Sequence, residues 1–120
     1  MPKPQAEKLI AKVRALCLAL PGVKEVEAWG HPTFRAPKKL FAACGIEPGG
    51  DPTLGLKMSY ERQDELLKDP RFFPTPYAAR QGWVSLKLDA KTDWKEITGL
   101  LREAYRQVAL KRLLKELEEA

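Results

Sequence analysis

Apolar side chains recur three or four residues apart near the start of the chain, at Ala6, Leu9, Ile10, Val13, Leu16, Cys17 and Leu20. This spacing places them on one face of an amphipathic helix, which we predict from about Pro4 to Ala19. The pair Pro21-Gly22 is expected to end this helix, because proline removes a backbone donor and glycine accepts a left-handed conformation. Cys17 lies on the apolar face, so we interpret it as a core residue.

Short stretches in the middle of the chain alternate between apolar and polar residues, which is typical of strands. We predict five strands, at about residues 23–28, 33–36, 40–46, 54–58 and 83–89. Pro37-Lys38-Lys39 is interpreted as the hairpin turn between the second and third of them. Segment 40–46 is almost entirely apolar, which indicates a central strand that is either covered on both faces or twisted. Segment 71–81 is predicted to be an ordered loop.

The rest of the chain is helical in pattern. Ser59 is predicted to cap a short helix that ends near Lys68. Asp93 and Glu96 form a D-x-x-E capping pair before a longer helix. The apolar stripe of that helix changes phase near Ala109-Leu110, so a break and a short final helix are expected there. Long helices at both ends favour an α+β fold, with a single-layer antiparallel sheet and the N- and C-terminal helices packed mainly on one face.

Length and composition restrict the class of protein. The chain has 120 residues, which predicts a single domain spanning residues 1–120 that buries a core without disulfides. No apolar run reaches the roughly 18 residues of a membrane span, and the N-terminus has no signal-peptide pattern. Cys17 and Cys44 do not form a CxxC motif, so they are interpreted as buried thiols in a reducing compartment. A cytoplasmic protein, with a monomer favoured, is therefore expected.

Positive charge is concentrated in two parts of the sequence. The formal net charge is +5, which permits a polyanionic partner without requiring one. Segments 31–46 and 71–88 each contain three basic residues and no acidic residue. Because these segments contain predicted strands and loops, the excess of positive charge is expected near the sheet.

A series of motifs carries a resemblance to a known family: Leu20-Pro21-Gly22-Val23, Trp29-Gly30-His31-Pro32-Thr33-Phe34-Arg35, Leu56-Lys57, Tyr77, Gly82-Trp83-Val84 and Tyr105-Arg106-Gln107-Val108-Ala109-Leu110-Lys111-Arg112-Leu113. With these motifs the chain resembles the MmcQ/YjbR family of small bacterial proteins, which are often labelled DNA-binding, over about residues 16–114. The resemblance implies an α+β fold of the CyaY-like or double-wing type and a role in nucleic-acid binding. Two positions depart from the family pattern. Pro37-Lys38-Lys39 replaces a hairpin that usually contains glycine, and Leu110 replaces a usual proline.

For a nucleic-acid function, we select the basic residues closest to the predicted sheet and its loops, which are Arg35, Lys38, Lys39, Lys57, Arg80 and Lys87. Neutralisation of DNA phosphates by such side chains dominates affinity in this class of protein. The alternative is an ordinary solvated surface with scattered lysines. Trp83 is the candidate for stacking on a base, or it covers the second face of the sheet. No helix-turn-helix or zinc-finger motif is visible, so contact with the phosphate backbone is expected.

The alternative function is a protein- or small-molecule-binding domain without catalysis. In this hypothesis the WGHPTFR loop (residues 29–35) and the PYAARQGW loop (residues 76–83) form an apolar pocket. Its candidate residues are Trp29, His31, Phe34 and Tyr77. Trp29 and Phe34 are also interpreted as core aromatics, as most large aromatic residues are.

His31 is the only histidine in the chain, and it is a candidate base or metal ligand. No second histidine accompanies it, so we interpret it as a residue that fixes its loop by hydrogen bonding. A catalytic pair with Cys44 is disfavoured because the apolar surroundings of this thiol raise its pKa. No enzymatic activity, no cofactor and no metal site are therefore expected.

Overall fold

The computed structural model describes residues 1–28 and 30–119. Its helices are α1 (Lys3–Leu18), α2 (Tyr60–Leu67), α3 (Trp94–Val108) and α4 (Lys111–Glu119). Its strands are β1 (Lys24–Ala28), β2 (His31–Arg35), β3 (Leu40–Ile46), β4 (Pro52–Lys57), β5 (Phe72–Pro74) and β6 (Trp83–Lys87). A 3-10 helix at Ala79–Gln81 precedes β6. The strands form one antiparallel sheet in the order β1-β2-β3-β4-β6-β5, which confirms the predicted α+β class.

Side-chain caps and backbone conformation determine where helices α2 and α3 begin or end. The side chain of Ser59 caps α2 by accepting a hydrogen bond from the backbone of Arg62, and the Asp93 side chain caps α3 in the same way. Helix α3 ends at Val108 because Ala109 is extended, with ψ of 147°. Helix α4 begins at Lys111, after two intervening residues, which confirms the predicted break. Among the described residues, no helix is both long enough and apolar enough to cross a membrane.

The core lies between the helices and one face of the sheet. The helices contribute buried side chains such as Val13, Leu101 and Leu113 to it, and the sheet contributes Phe34 and Leu56. The prediction of helices packed on one face is therefore confirmed. We call the opposite face of the sheet the outer face, since the alternation of strand side chains places the remaining strand positions there.

Small residues form the middle of the outer face. The strand register aligns one row across all six strands, consisting of Val26, Thr33, Ala43, Gly55, Ser85 and Phe73. The β3 residues on this face are Ala43 and Gly45, which are half-buried, while Ala42 and Cys44 are buried on the helical face. Segment 40–46 is therefore apolar because its outer positions are small, and helices cover only one of its two faces.

Segment 71–81 differs from the sequence-based prediction of a loop. Residues Phe72–Pro74 form the edge strand β5, which pairs with β6, and the 3-10 helix follows it. Such a short strand carries little periodic signal. Pro74 lacks a backbone N–H, but it is tolerated because an edge strand pairs with a neighbour on only one side.

Candidate functional site

One end of the sheet gathers basic side chains from several strands. Lys24 at the start of β1 pairs with Arg35 at the end of β2. Lys57 at the end of β4 pairs with Trp83 at the start of β6, at the same end of the sheet. The β2–β3 turn and the 3-10 helix connect to strands at the same end. We call this group the basic end, and it consists of Lys24, Arg35, Lys38, Lys39, Lys57 and Arg80. Five of the six basic residues selected from sequence lie here, and Lys24 was missed because its strand also contains two glutamates.

Lys87 lies at the opposite end of the sheet, apart from the other five basic residues selected from sequence. Strand β6 begins at Trp83 and ends at Lys87, so these two residues are separated by the full length of the strand. The ammonium of Lys87 is 3.3 Å from a carboxylate oxygen of Glu47 and 4.0 Å from one of Asp51. These acidic residues of the β3–β4 connection neutralise its charge.

Arg35 and the β2–β3 turn form the first part of the basic end. The Arg35 Nη1 atom donates a hydrogen bond of 3.2 Å to the backbone oxygen of Lys38. The Arg35 Nε atom is buried and has no hydrogen-bond partner among the described residues. The turn closes through a bond of 3.0 Å from the Ala36 amide to the Lys39 carbonyl. Lys38 and Lys39 are both exposed, so their charges are accessible from solvent.

Lys57 and the neighbouring Tyr60 form the second part of the basic end. The Lys57 ammonium donates a hydrogen bond of 3.1 Å to the Met58 carbonyl oxygen and lies 5.9 Å from the centroid of the Tyr60 ring. This separation is within the range of a cation–π contact. The Tyr60 side chain is nevertheless 63% exposed. Tyr60 was not among the residues selected from sequence, although an aromatic residue directly after a helix cap and off the apolar stripe is a usable signal.

The PYAARQGW loop is fixed at the same end by a buried glutamine. The Gln63 Nε2 atom donates hydrogen bonds of 2.8 Å and 2.9 Å to the carbonyl oxygens of Ala79 and Trp83. Gly82 has φ of +91°, and a Cβ atom there would lie 2.3 Å from the Met58 carbonyl oxygen. The glycine is therefore required both by its backbone conformation and by the close approach of Met58, the residue that follows β4. Together these contacts determine where Arg80 and Trp83 lie.

Trp83 lies partly on the outer face of the sheet. Its Cε3 atom is 3.6 Å from the position that a Cβ atom would take on Gly55, so the glycine leaves room for the indole beside it. The side chain is half-buried. Trp83 therefore covers part of the second face without being fully buried.

Tyr77 is an aromatic residue held in solvent. Its side chain is fully exposed, at 107% of the reference area. It has φ of 66°, the one positive value outside glycine among the described residues. The Thr75 carbonyl accepts hydrogen bonds from the amides of Ala78 and Ala79, so the loop bends tightly around Tyr77. A non-glycine residue in this conformation costs on the order of 1–3 kcal/mol, and such residues cluster at functional sites.

The described candidate residues of the two aromatic loops do not come together. His31 pairs with Ala28 at the end of the sheet opposite the PYAARQGW loop, whereas Tyr77 is in that loop. Phe34 is fully buried in the core on the helical face. Trp29 lies outside the described residues. The pocket predicted from sequence therefore does not form from His31, Phe34 and Tyr77.

Two cavities lie between helices instead. One of about 490 Å³ separates α2 from α3, and one of about 160 Å³ lies between α1, α3 and α4. Ion pairs cross the larger cavity, with Arg62 2.9 Å from Glu103 and Arg71 2.8 Å from Glu96. Hydrogen bonds with Glu96 and Asp69 raise the pKa of Arg71 above its ordinary value. Four carboxylate and guanidinium side chains that line this cavity are therefore paired with one another.

The fold separates His31 from Cys44, which were considered as a catalytic pair. Alternation along β2 places His31 on the outer face, whereas Cys44 is buried on the helical face. Burial raises the pKa of the Cys44 thiol to about 12, so a thiolate–imidazole pair does not form. Within residues 1–28 and 30–119, no group of three or more side chains is arranged to hold a metal ion. The hydrogen-bonding role of His31 in its loop stays a prediction.

Solved structures similar to this chain share its fold. A Deinococcus radiodurans protein with a DUF419 domain is 23% identical, with a TM-score of 0.72, over 98% of this chain and 92% of that chain. A Pseudomonas syringae protein in a crystal structure is 18% identical, with a TM-score of 0.68, over 85% of this chain and 97% of that chain. A solution structure from Pseudomonas syringae is 19% identical, with a TM-score of 0.60, over 92% and 95% of the two chains.

Comparison by sequence places the chain in a family. A search of curated proteins found no match. The family model described as YjbR matches residues 18–107, a range that runs from the end of α1 almost to the end of α3. It includes the basic end, the PYAARQGW loop and all six strands. The chain therefore belongs to the YjbR family.

Proposed function

We propose that this protein binds nucleic acid through the basic end of its sheet. The observation that carries this proposal is the convergence of five sequence-selected basic residues, together with Lys24, at one end of one sheet. A clustered basic surface of this kind is the electrostatic footprint of a protein that contacts a phosphate backbone.

The distribution of acidic residues supports the same proposal. Glu25 follows Lys24 in β1, but it lies on the helical face, where Arg14 binds its carboxylate at 2.7 Å. The β2–β3 turn contributes Lys38 and Lys39 without a neighbouring acid in the segment 31–46. Among the described residues, no basic side chain of the basic end forms an ion pair, whereas Lys87 at the other end is paired with Glu47.

Phosphate contact is the mode of binding that these residues favour. Arg35 has a guanidinium that is suited to phosphate oxygens, and the exposed Lys38 and Lys39 supply point charges. Contacts with phosphates fix position and register but carry no direct sequence information. We therefore expect little preference for a particular base sequence.

The test is fluorescence anisotropy of labelled oligonucleotides titrated with the protein over a range of salt concentrations. For phosphate contact, the logarithm of the affinity falls linearly with the logarithm of the salt concentration, with a slope of about −0.7 to −0.9 per phosphate neutralised. The double variant Lys38→Glu/Lys39→Glu should weaken binding at least tenfold and reduce the number of contacts by about two.

A control variant with the same change in net charge distinguishes the effect of local phosphate contacts on affinity from the effect of net charge. Lys8 is exposed on α1, on the helical side of the sheet, and Lys91 is exposed after β6 at the end remote from the basic end. The variant Lys8→Glu/Lys91→Glu should change affinity much less than the turn variant. Absence of binding at low salt would overturn the proposal, as would equal losses in the two double variants.

A further inference from the structure

We propose that the preferred ligand of the basic end is single-stranded nucleic acid, whose unpaired bases stack on Tyr77, Tyr60 and Trp83. This inference rests on the proposed function and specifies its ligand class. Base stacking on aromatic side chains is compatible with any base sequence, because every base has a π face.

Tyr77 is the first observation that points to stacking. Its ring is fully exposed and its backbone is left-handed, although this residue is not glycine. Within the described chain the exposed ring has no packing role that offsets this conformation. Solvent-exposed aromatic side chains are common where a protein binds a flat ligand group, since the apolar ring gains most from being covered.

Tyr60 and Trp83 supply an independent observation at the same end of the sheet. Lys57 connects them, because it is the cross-strand partner of Trp83 and its ammonium lies 5.9 Å from the Tyr60 ring centroid. Tyr60 is 63% exposed, and Trp83 is half-buried. Aromatic rings therefore lie beside cations, which is the arrangement that binds bases and phosphates of one strand together.

The placement of the helices disfavours a duplex ligand. Reading of a B-form duplex usually requires a helix or a two-stranded ribbon in the major groove. The described α-helices pack on the other face of the sheet, and the residues of the proposed surface come from strands, turns, the 3-10 helix and the first residue of α2. In a duplex the base faces are already stacked, so Tyr60 and Tyr77 would gain no stacking contact. Unpaired bases are free to form that contact.

Three probes of equal length separate the contributions: a single strand, the matching duplex, and a single strand with abasic positions that keeps every phosphate. The wild-type protein should bind the single strand more tightly than either of the other two. Tyr77→Ala and Tyr60→Ala should each weaken binding of the single strand by about fivefold or more. Binding of the abasic strand should be unchanged in these variants. Tyr77→Phe and Tyr60→Phe are the matched controls, because they keep the ring and should keep the affinity.

Failure of this inference is distinguishable from failure of the proposed function. If the abasic strand or the duplex binds as tightly as the single strand, and Lys38→Glu/Lys39→Glu still weakens binding, stacking is overturned and phosphate contact is retained. If no probe binds at low salt, both proposals are overturned. Because both tyrosines are exposed, the alanine variants should keep the wild-type circular dichroism spectrum, which establishes that any loss of affinity is local.

Discussion

The hydroxyl of Tyr105 in α3 donates a hydrogen bond of 2.6 Å to the backbone oxygen of Pro21 in the turn between α1 and β1. The Tyr105 ring is fully buried and meets Phe41 edge-on, with 5.6 Å between ring centroids. Gly22 follows in the turn with φ of +70°, and a Cβ atom there would lie 2.8 Å from Leu113. Two motifs that resemble the YjbR family, at residues 20–23 and 105–113, are therefore in contact and join the first turn to the last two helices.

Tyr105→Phe should lower the free energy of unfolding by about 1–2 kcal/mol, because it removes the buried hydroxyl donor and leaves the carbonyl oxygen of the half-buried Pro21 without this partner. Urea denaturation followed by circular dichroism measures the change. Tyr60→Phe is the control, since the exposed Tyr60 hydroxyl takes no part in this contact and the variant should leave stability unchanged. Equal stability of wild type and Tyr105→Phe would contradict the structural role assigned to this bond.

Gly82→Ala should destabilise the protein by more than about 1–3 kcal/mol, since the new Cβ atom meets the Met58 carbonyl and the backbone has a positive φ. Gly49→Ala tests the specificity of this effect, because a Cβ atom at Gly49 has no neighbour within 4 Å and its φ is not positive. Thermal unfolding compares the two variants. Equal melting temperatures of the two variants would contradict the close contact between Gly82 and the Met58 carbonyl oxygen.

Gln63→Leu should loosen the PYAARQGW loop, because it removes both hydrogen bonds to the carbonyl oxygens of Ala79 and Trp83. The expected loss is about 1–3 kcal/mol. Hydrogen exchange read by mass spectrometry should show faster exchange in residues 79–83. Gln107→Leu, at an exposed position on α3, should leave exchange in that segment unchanged. A loop that exchanges equally slowly in both variants would show that Gln63 does not fix it.

The Cys44 thiol should resist alkylation in the folded protein. Burial raises its pKa from 9.0 to about 12, so it is almost fully protonated at pH 8. Because the pKa is higher in the folded state, its contribution to stability is present below pH 9 and is lost as the pH rises towards 12. Mass spectrometry after iodoacetamide treatment should find Cys44 unmodified in native protein and modified in urea. Rapid modification of the native protein would contradict its burial.

Lys87 and Arg35 should differ in their effect on nucleic-acid binding, although sequence analysis grouped them together. Arg35→Gln should weaken binding and lower the number of phosphate contacts by about one. Lys87→Gln should have little effect, because Glu47 already neutralises this ammonium and the residue lies at the other end of the sheet. Salt titrations of the two variants measure the difference. Equal effects would show that the interface extends along the whole outer face.

The features that could be predicted from sequence are those that depend on residues close together in the chain. The cap at Asp93 and the break after Val108 were visible in sequence, because capping and the phase of an apolar stripe are properties of neighbouring residues. The three-residue strand β5 was missed because it is too short to show a period. Trp83 remained ambiguous in sequence, since its burial depends on Gly55 in another strand.

The sequence by itself determined the helices, most of the strands and the choice of five of the six residues at the basic end. Hydrophobic periodicity and turn chemistry act over a few residues, so these features need no knowledge of the fold. Only the tertiary structure decided that Lys24 joins the basic end, that Lys87 does not, and that His31 and Tyr77 lie at opposite ends of the sheet. These are consequences of antiparallel register, which reverses direction at every strand and depends on pairing between residues far apart in the chain.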